Sequence, residues 1–215
     1  MAVYTPLDEA TIRRLVEEYG LGELVRWHGI QAGVENSNFF IEATHRRVIL
    51  TLYEKRVNPA DLPFFLGVME HLAGRGVPCP TPLVDDAGRR LREIEGRPAA
   101  CVTFLDGRSI RRATAAQCRA LGGALAELHV AGRDYAGERS NDLALEGWRR
   151  LLDRIGDRAD EVAPGLAAEL AGELESLEAS WPETLPRGVI HADLFPDNVF
   201  FEGERVTGLI DFYFA

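Results

Sequence analysis

The run VIHADLFPDNVFF, residues 189–201, sets His191, Asp193, Asp197 and Asn198 between two apolar stubs. Beyond Asn198 the chain passes through VFF, turns at EGER and returns through VTGLI to Asp211. A hairpin centred near Gly203 and Glu204 would bring Asp211 back beside Asn198, offset by about two positions, or roughly 7 Å at the rise of a strand. Mg²⁺ takes oxygen ligands, uses few protein carboxylates and leaves its other places to phosphates and water. Asn198 and Asp211 suit that role, and Asp193 is then free to meet a hydroxyl. One acid for an alcohol's proton, with an amide and a second acid for a metal, makes a phosphoryl-transfer set. The bland alternative is a polar surface turn, with His191 capping a loop and Asp197 beside Pro196 as turn chemistry. The apolar strands on both sides, and the apolar-flanked ID pair at hairpin distance, weigh against it.

Phosphoryl transfer also needs a cradle for phosphates. GIQAGVENSNFFIEA offers strand, turn and strand, with Gly33 in the turn and the small polar side chains of Asn36, Ser37 and Asn38 beside it. Alone, such a cluster reads as a hairpin turn. Ahead of the HADLFPDN segment it reads as a phosphate-facing loop.

The elements that must hold these groups fall into two halves. TPLDEATIRRLVEEYGLG predicts a helix capped by Thr5, with Pro6 in its first turn and a stripe of Ile12, Leu15, Val16 and Tyr19. ELVRWHGI, NFFIEA and VILTLYE predict an antiparallel meander. A second helix starts near Pro63, and short strands follow as far as CVTFLDG. After Gly107, Thr114 predicts an N-cap, and helices are expected there, over LEGWRRLLDRI and from about Pro164 to Trp181. The site segment closes the chain as strand, loop, strand. The expected class is α+β, with a strand-rich part over 1–107 and a mainly helical part over 108–215.

With 215 residues, 46% of them hydrophobic, the chain can bury a real core. Its net charge of −10 argues against nucleic acid or an anionic membrane as main partner. Cys79, Cys101 and Cys118 form no CxxC pair and sit among apolar residues, as buried thiols of a reducing cytosol would. The start, MAVYTPLDEATIRR, has no basic and apolar run of a signal peptide, and no apolar stretch approaches a membrane span. These features predict a cytoplasmic protein. No pair of histidines has metal-ligand spacing, so no zinc site is expected.

At this point the residues resemble a known family. HADLFPDN, followed by GLIDFYFA, is similar to the catalytic loop and metal segment of the aminoglycoside phosphotransferase and choline kinase superfamily, which shares the protein-kinase fold. Within it, GVENSNFF, ILTLYEKR, LPFFLGVMEHLAGRGVPCPTP and HADLFPDNVFF resemble bacterial homoserine kinases of the phosphotransferase-like type, over essentially the whole chain. The resemblance implies a two-lobe protein-kinase-like fold, with an antiparallel-sheet nucleotide-binding lobe over 1–107 and a partial, mainly helical catalytic lobe over 108–215. It implies ATP and Mg²⁺ as cofactors and homoserine as the small-molecule substrate. Asp193 would orient the substrate hydroxyl and accept its proton, His191 would brace the loop, and Asn198 and Asp211 would hold Mg²⁺. Thr103, Phe104 and Leu105, in CVTFLDG, would form the hinge that hydrogen-bonds adenine. His129, ending LAELH, would be structural.

Two departures stand out. The third strand of the superfamily usually carries a Lys on the ATP phosphates, and the matching position here is Thr51. Its acidic helix partner falls near Phe65. Both charges are missing together, so no orphan charge is left and a substituted arrangement is expected. Lys55 or Arg56 could reach in from the strand end, or form a solvated basic pair. Members also continue with more helices past the point that matches Ala215, so the chain is expected to be C-terminally truncated and need not be active alone. The leading expectation is an ATP:homoserine phosphotransferase. A kinase for choline, an aminoglycoside or a sugar, and a non-catalytic nucleotide-binding fragment, are the rivals.

Overall fold

Along a strand successive side chains face opposite layers, so residue parity decides what each strand residue touches. In the computed structural model, which describes residues 3–31, 35–54, 57–182 and 184–215, five strands form one antiparallel sheet. They are β1 (Leu24–Gly29), β2 (Ser37–Ala43), β3 (Arg47–Leu52), β4 (Arg92–Ile94) and β5 (Arg97–Thr103). The order across the sheet is β1-β2-β3-β5-β4. Val48, Leu50 and Leu52 of β3, with Ala99 and Cys101 of β5, face helix α1 (Glu9–Glu18) and its stripe of Ile12, Leu15 and Val16. Ile49 and Tyr53, with Ala100 and Val102, belong to the opposite layer.

That second layer holds Leu62, Phe65, Leu66 and Met69 of α2 (Leu62–Ala73) and Leu128 of α3 (Ala115–Ala131). Val199, Phe201, Leu209 and Phe212 from the end of the chain complete it. Parity thus puts Thr51, between Ile49 and Tyr53, on the side of the catalytic segment. Of the two expected caps, one moves. The cap of α1 is Asp8, whose carboxylate accepts the Thr11 N–H at 2.8 Å, in place of Thr5. Thr114 caps α3 as expected, in a reciprocal box with Gln117.

Strands β6 (Val199–Glu202) and β7 (Arg205–Leu209) make a separate hairpin. Gly203 takes φ 62° at its tip, a conformation that favours glycine.

Compactness divides the chain elsewhere than at Gly107. One unit is Met1–Gly137 with Gly188–Ala215, and the other is Glu138–Arg187. Gly107 is a tight crossing, not a linker. It has φ 126°, and a Cβ there would lie 2.2 Å from Thr207 Oγ1 and 3.3 Å from the Phe201 carbonyl. The sheet and the C-terminal hairpin therefore share one core. In the second unit, α4 (Leu145–Ile155) and α5 (Leu166–Ser180) are joined by an Arg149–Glu178 ion pair and by Trp148 set edge-on to Trp181, with ring centres 5.7 Å apart. Among the described residues no helix is long and apolar enough to cross a membrane.

Candidate active site

The loop between Gly188 and Val199 is built around a buried imidazole. His191 is 1% exposed. Its Nε2 lies 2.9 Å from the Ile210 carbonyl, and its Nδ1 faces the Asp193 N–H at 3.4 Å. This geometry fits one neutral tautomer, with Nε2–H donating and Nδ1 accepting. Burial pushes the ring's pKa down to about 4, despite the Ile210 hydrogen bond, which works the other way. The Phe212 ring packs against it at 4.5 Å. His191 thus ties the loop to the residue that follows β7.

Asn198 is 9% exposed. Its Nδ2 donates to the Asp193 carbonyl at 2.8 Å and to Asp193 Oδ2 at 3.0 Å. One amide thus fixes both the loop's curve and the aspartate's rotamer. Both bonds are made by the amide nitrogen, so Oδ1 takes no part in them. Among the described residues Asp193 Oδ1 has no protein donor, so that oxygen is available to a substrate hydroxyl.

Asp211 arrives by a register the sequence did not show. With a two-residue turn and regular pairing, Asp211 would stand two positions from Asn198. The pairing is not regular: Phe201 faces Val206, but Phe200 faces Gly208 and Val199 faces Leu209. Thr207 is the extra residue of a bulge, and bulges re-aim strands in this way. The Ile210 N–H then bonds the Asn198 carbonyl at 3.0 Å, so Asp211 is one position on. Gly208 allows the bulge to close, since a Cβ there would lie 2.9 Å from Leu105.

Asp211 has φ 69° and Ala192 φ 63°, both unusual for residues other than glycine. The Asp211 carboxyl is solvent-accessible but crowded. Desolvation first, then the charges of Asp193, Glu35 and Asp197, lift its pKa to about 6. Three carboxylates acting on a fourth form a place a divalent cation would relieve. Among the described residues no three His, Cys, Asp or Glu side chains form a closed metal cage. Asn198 and Asp211 fit a Mg²⁺ that arrives with phosphates, and an all-protein site is not needed for it. Asp197, assigned to turn chemistry, is exposed in the 3₁₀ turn Pro196–Asn198, although its charge also acts on Asp211.

The cradle residues are placed differently from the phosphate-facing picture. Gly33 lies outside the described residues, as do Lys55 and Arg56. Ser37 is fully buried: its Oγ accepts the N–H groups of Tyr4 and Thr5 and donates to Glu54 at 2.7 Å. Asn36 Oδ1 accepts the Glu54 N–H at 3.3 Å, and Asn38 Oδ1 accepts from Thr51 Oγ1 at 2.7 Å. These side chains build the strand entrance, because a buried oxygen must find a donor where it stands. At the hinge, the Thr103 N–H donates to the Thr81 carbonyl at 2.9 Å and the Phe104 N–H to the Arg47 carbonyl at 3.3 Å. The Phe104 ring lies 4.6 Å under the Arg47 guanidinium. Of the three hinge residues, Leu105 is the one whose N–H has no backbone acceptor among the described residues.

Three residues escaped the motif reading. Glu35 adds charge beside Asp211. Tyr53 and Tyr213 join hydroxyls at 3.0 Å, and Tyr213 also sets its ring 5.9 Å from that of Phe65. Thr51 and Phe65, where an ion pair was looked for, therefore both stand beside Tyr213. Strand parity could have placed Tyr53 on this face, but no local signal points to Tyr213. His129, expected to be structural, is exposed on α3, and the buried neighbour Leu128 does the packing.

A sheet, a braced HxDxxxxN loop and an aspartate returned by a hairpin define a phosphotransferase of kinase-like fold. Residues 26–215 match the phosphotransferase enzyme family, and the chain belongs to it. It is 57% identical to a homoserine kinase of Xanthobacter autotrophicus and 55% identical to one of Beijerinckia indica. Each match covers 100% of this chain and 67% of the relative. Among solved structures, a spectinomycin phosphotransferase in complex with ADP and spectinomycin shares the fold. It superposes with a TM-score of 0.66 at 13% identity, over 97% of this chain and 69% of that one.

Proposed function

We propose that this protein transfers the γ-phosphoryl group of ATP to the side-chain hydroxyl of L-homoserine, giving O-phosphohomoserine, a reaction of threonine biosynthesis in the cytoplasm. The observation that carries the chemistry is the Asn198 amide, whose nitrogen fixes Asp193 while the Asn198 backbone carbonyl is bonded by Ile210, the residue before Asp211. The substrate is inferred from the whole-chain identity to relatives named homoserine kinase.

Asp193 Oδ1 receives the hydroxyl of the substrate and takes its proton as the new O–P bond forms and the bond from the γ-phosphorus to the bridging oxygen of ATP breaks, releasing ADP. Asn198 holds the other carboxylate oxygen still, so the base does not have to search for its rotamer during the reaction. His191 keeps the loop's curve by bonding Ile210, and stays neutral while doing so. Asn198 Oδ1 and Asp211 would hold Mg²⁺, which supplies charge neutralisation on the transferred phosphate when bound. Leu105 would offer its N–H to adenine, and the backbone around Gly33 would meet phosphates. We assign residues 1–107 to the nucleotide lobe and 108–215 to part of the catalytic lobe in this functional sense.

ADP release is to be measured for the full-length protein with homoserine, choline, an aminoglycoside and a sugar in parallel. Homoserine is expected to give the highest kcat/KM, and equal rates with all four would remove the substrate assignment. Asp193→Asn is expected to lower kcat by roughly 10²–10⁴-fold while ATP still binds. Unchanged turnover would remove Asp193 from the base role.

A further inference from the structure

Tyr213 stands two residues past Asp211 and ties the end of the chain to the sheet. Its hydroxyl is 3.0 Å from that of Tyr53. Thr51 gives its single hydroxyl proton to Asn38 Oδ1 at 2.7 Å, so the Tyr53 hydroxyl is the polar partner that Tyr213 has in the sheet. Tyr53 is 1% exposed, so water does not compete at that end of the pair. The rings add a second hold, with Tyr213 edge-on to Tyr53 at 5.1 Å and to Phe65 at 5.9 Å.

We propose that this uncharged hydroxyl pair sets the aim of Asp211 at its cation, with Tyr213 and Tyr53 as positioning residues. The proposal rests on the reading of Asp211 as a metal ligand. Asp211 is held at φ 69°, and a non-glycine residue keeps such a conformation only when its flanks leave no alternative. On one side, Ile210 is fixed by its N–H to Asn198 and its carbonyl to His191. On the other side, the polar anchor is Tyr213. With both neighbours held, the backbone between them cannot relax, and the carboxylate points where that backbone sends it. Loss of the Tyr213 hydroxyl releases the forward anchor and leaves the Tyr53 hydroxyl buried with this partner gone.

The test uses the full-length protein with ADP present and Mn²⁺ as a paramagnetic stand-in for Mg²⁺, free Mn²⁺ being read by electron paramagnetic resonance. Tyr213→Phe is expected to weaken Mn²⁺ binding about tenfold, the scale for groups that orient metal ligands. The Mg²⁺ concentration for half-maximal turnover should rise by a similar factor, with KM for homoserine within about twofold of its starting value. Tyr53→Phe, which removes the same hydrogen bond from its other end, should weaken Mn²⁺ binding by a similar factor. The double variant should match either single one, since both hydroxyls act through one bond. Wild-type Mn²⁺ affinity in folded Tyr213→Phe would overturn the proposal, and so would wild-type affinity in Tyr53→Phe should the first variant fail to fold. Asp211→Asn separates the two levels. If it abolishes Mn²⁺ binding while Tyr213→Phe does not affect it, only the tie is wrong. If Asp211→Asn leaves Mn²⁺ binding unchanged, the metal reading fails and the tie fails with it.

Discussion

The buried neutral imidazole of His191 makes stability depend on pH in a way that can be worked out. In the unfolded chain the ring titrates at its ordinary 6.5, and in the fold at about 4. Between these values the unfolded state binds a proton that the folded state refuses, so acidification favours unfolding. The contribution of His191 is intact above pH 6.5 and is lost as pH falls towards 4. At about pH 5 the loss amounts to about 2 kcal/mol, from some 1.4 kcal/mol per pH unit over the window crossed. Asp211 works in the opposite sense. Its raised pKa means that the folded state binds the extra proton, which favours folding as pH falls through about 6. Its exposure to solvent makes that term the smaller one.

The measurement is therefore a difference. Urea unfolding is followed at about pH 7.5 and pH 5 for the wild type and for His191→Gln, whose side-chain amide can still donate to Ile210. The variant is expected to be less stable at the higher pH but to lose less on acidification, the two losses differing by about 2 kcal/mol. Parallel losses in both proteins would refute the argument, because they would mean that the ring titrates alike in the folded and unfolded chain.

Other consequences are open to equally direct measurement. Thr51→Lys would place an ammonium at a site 4% exposed whose polar partner is the neutral Asn38 amide, and should destabilise the fold by roughly 3–5 kcal/mol without raising kcat. A Thr51→Lys protein as stable as wild type would show that a carboxylate can reach the new ammonium. Gly107→Ala adds a Cβ 2.2 Å from Thr207 Oγ1 at φ 126°, and a loss of about 2–4 kcal/mol is expected from strain and overpacking together. Thr207→Ala in the same chain should recover part of it, and no recovery would place the cost in the backbone alone. Burial pushes the Cys79 and Cys101 thiols up to about 12, whereas Cys118 is exposed. A thiol reagent should therefore label Cys118 quickly in the native protein and the other two only in denaturant. Fast labelling of all three would contradict the packing of β5.

The sequence placed strands and helices well where one face is buried, because a period of two or of 3.6 is written in each strand or helix itself. The α1 stripe, the β1–β2–β3 meander and the Thr114 cap are all of that kind. It was less informative for caps with two candidates, where Asp8 outdid Thr5 through a carboxylate that reaches the Thr11 N–H. The polar cluster Asn36–Ser37–Asn38 was harder still. Small polar side chains suit phosphates and buried donors equally, and only the neighbours Tyr4, Glu54 and Thr51 show which they meet.

The same division runs through the site. Sequence alone determined which residues are proposed to carry the chemistry: Asp193, Asn198 and Asp211 were singled out by residue type, spacing and the apolar strands around them. What only the tertiary structure decided is how they meet. The Thr207 bulge moves Asp211 one residue nearer to Asn198, and a bulge leaves no periodic mark in a five-residue strand. The His191–Ile210 bond and the Tyr53–Tyr213 pair join segments 19 and 160 residues apart. Such contacts depend on which side chains the packed core brings face to face, and no local pattern of residues encodes that.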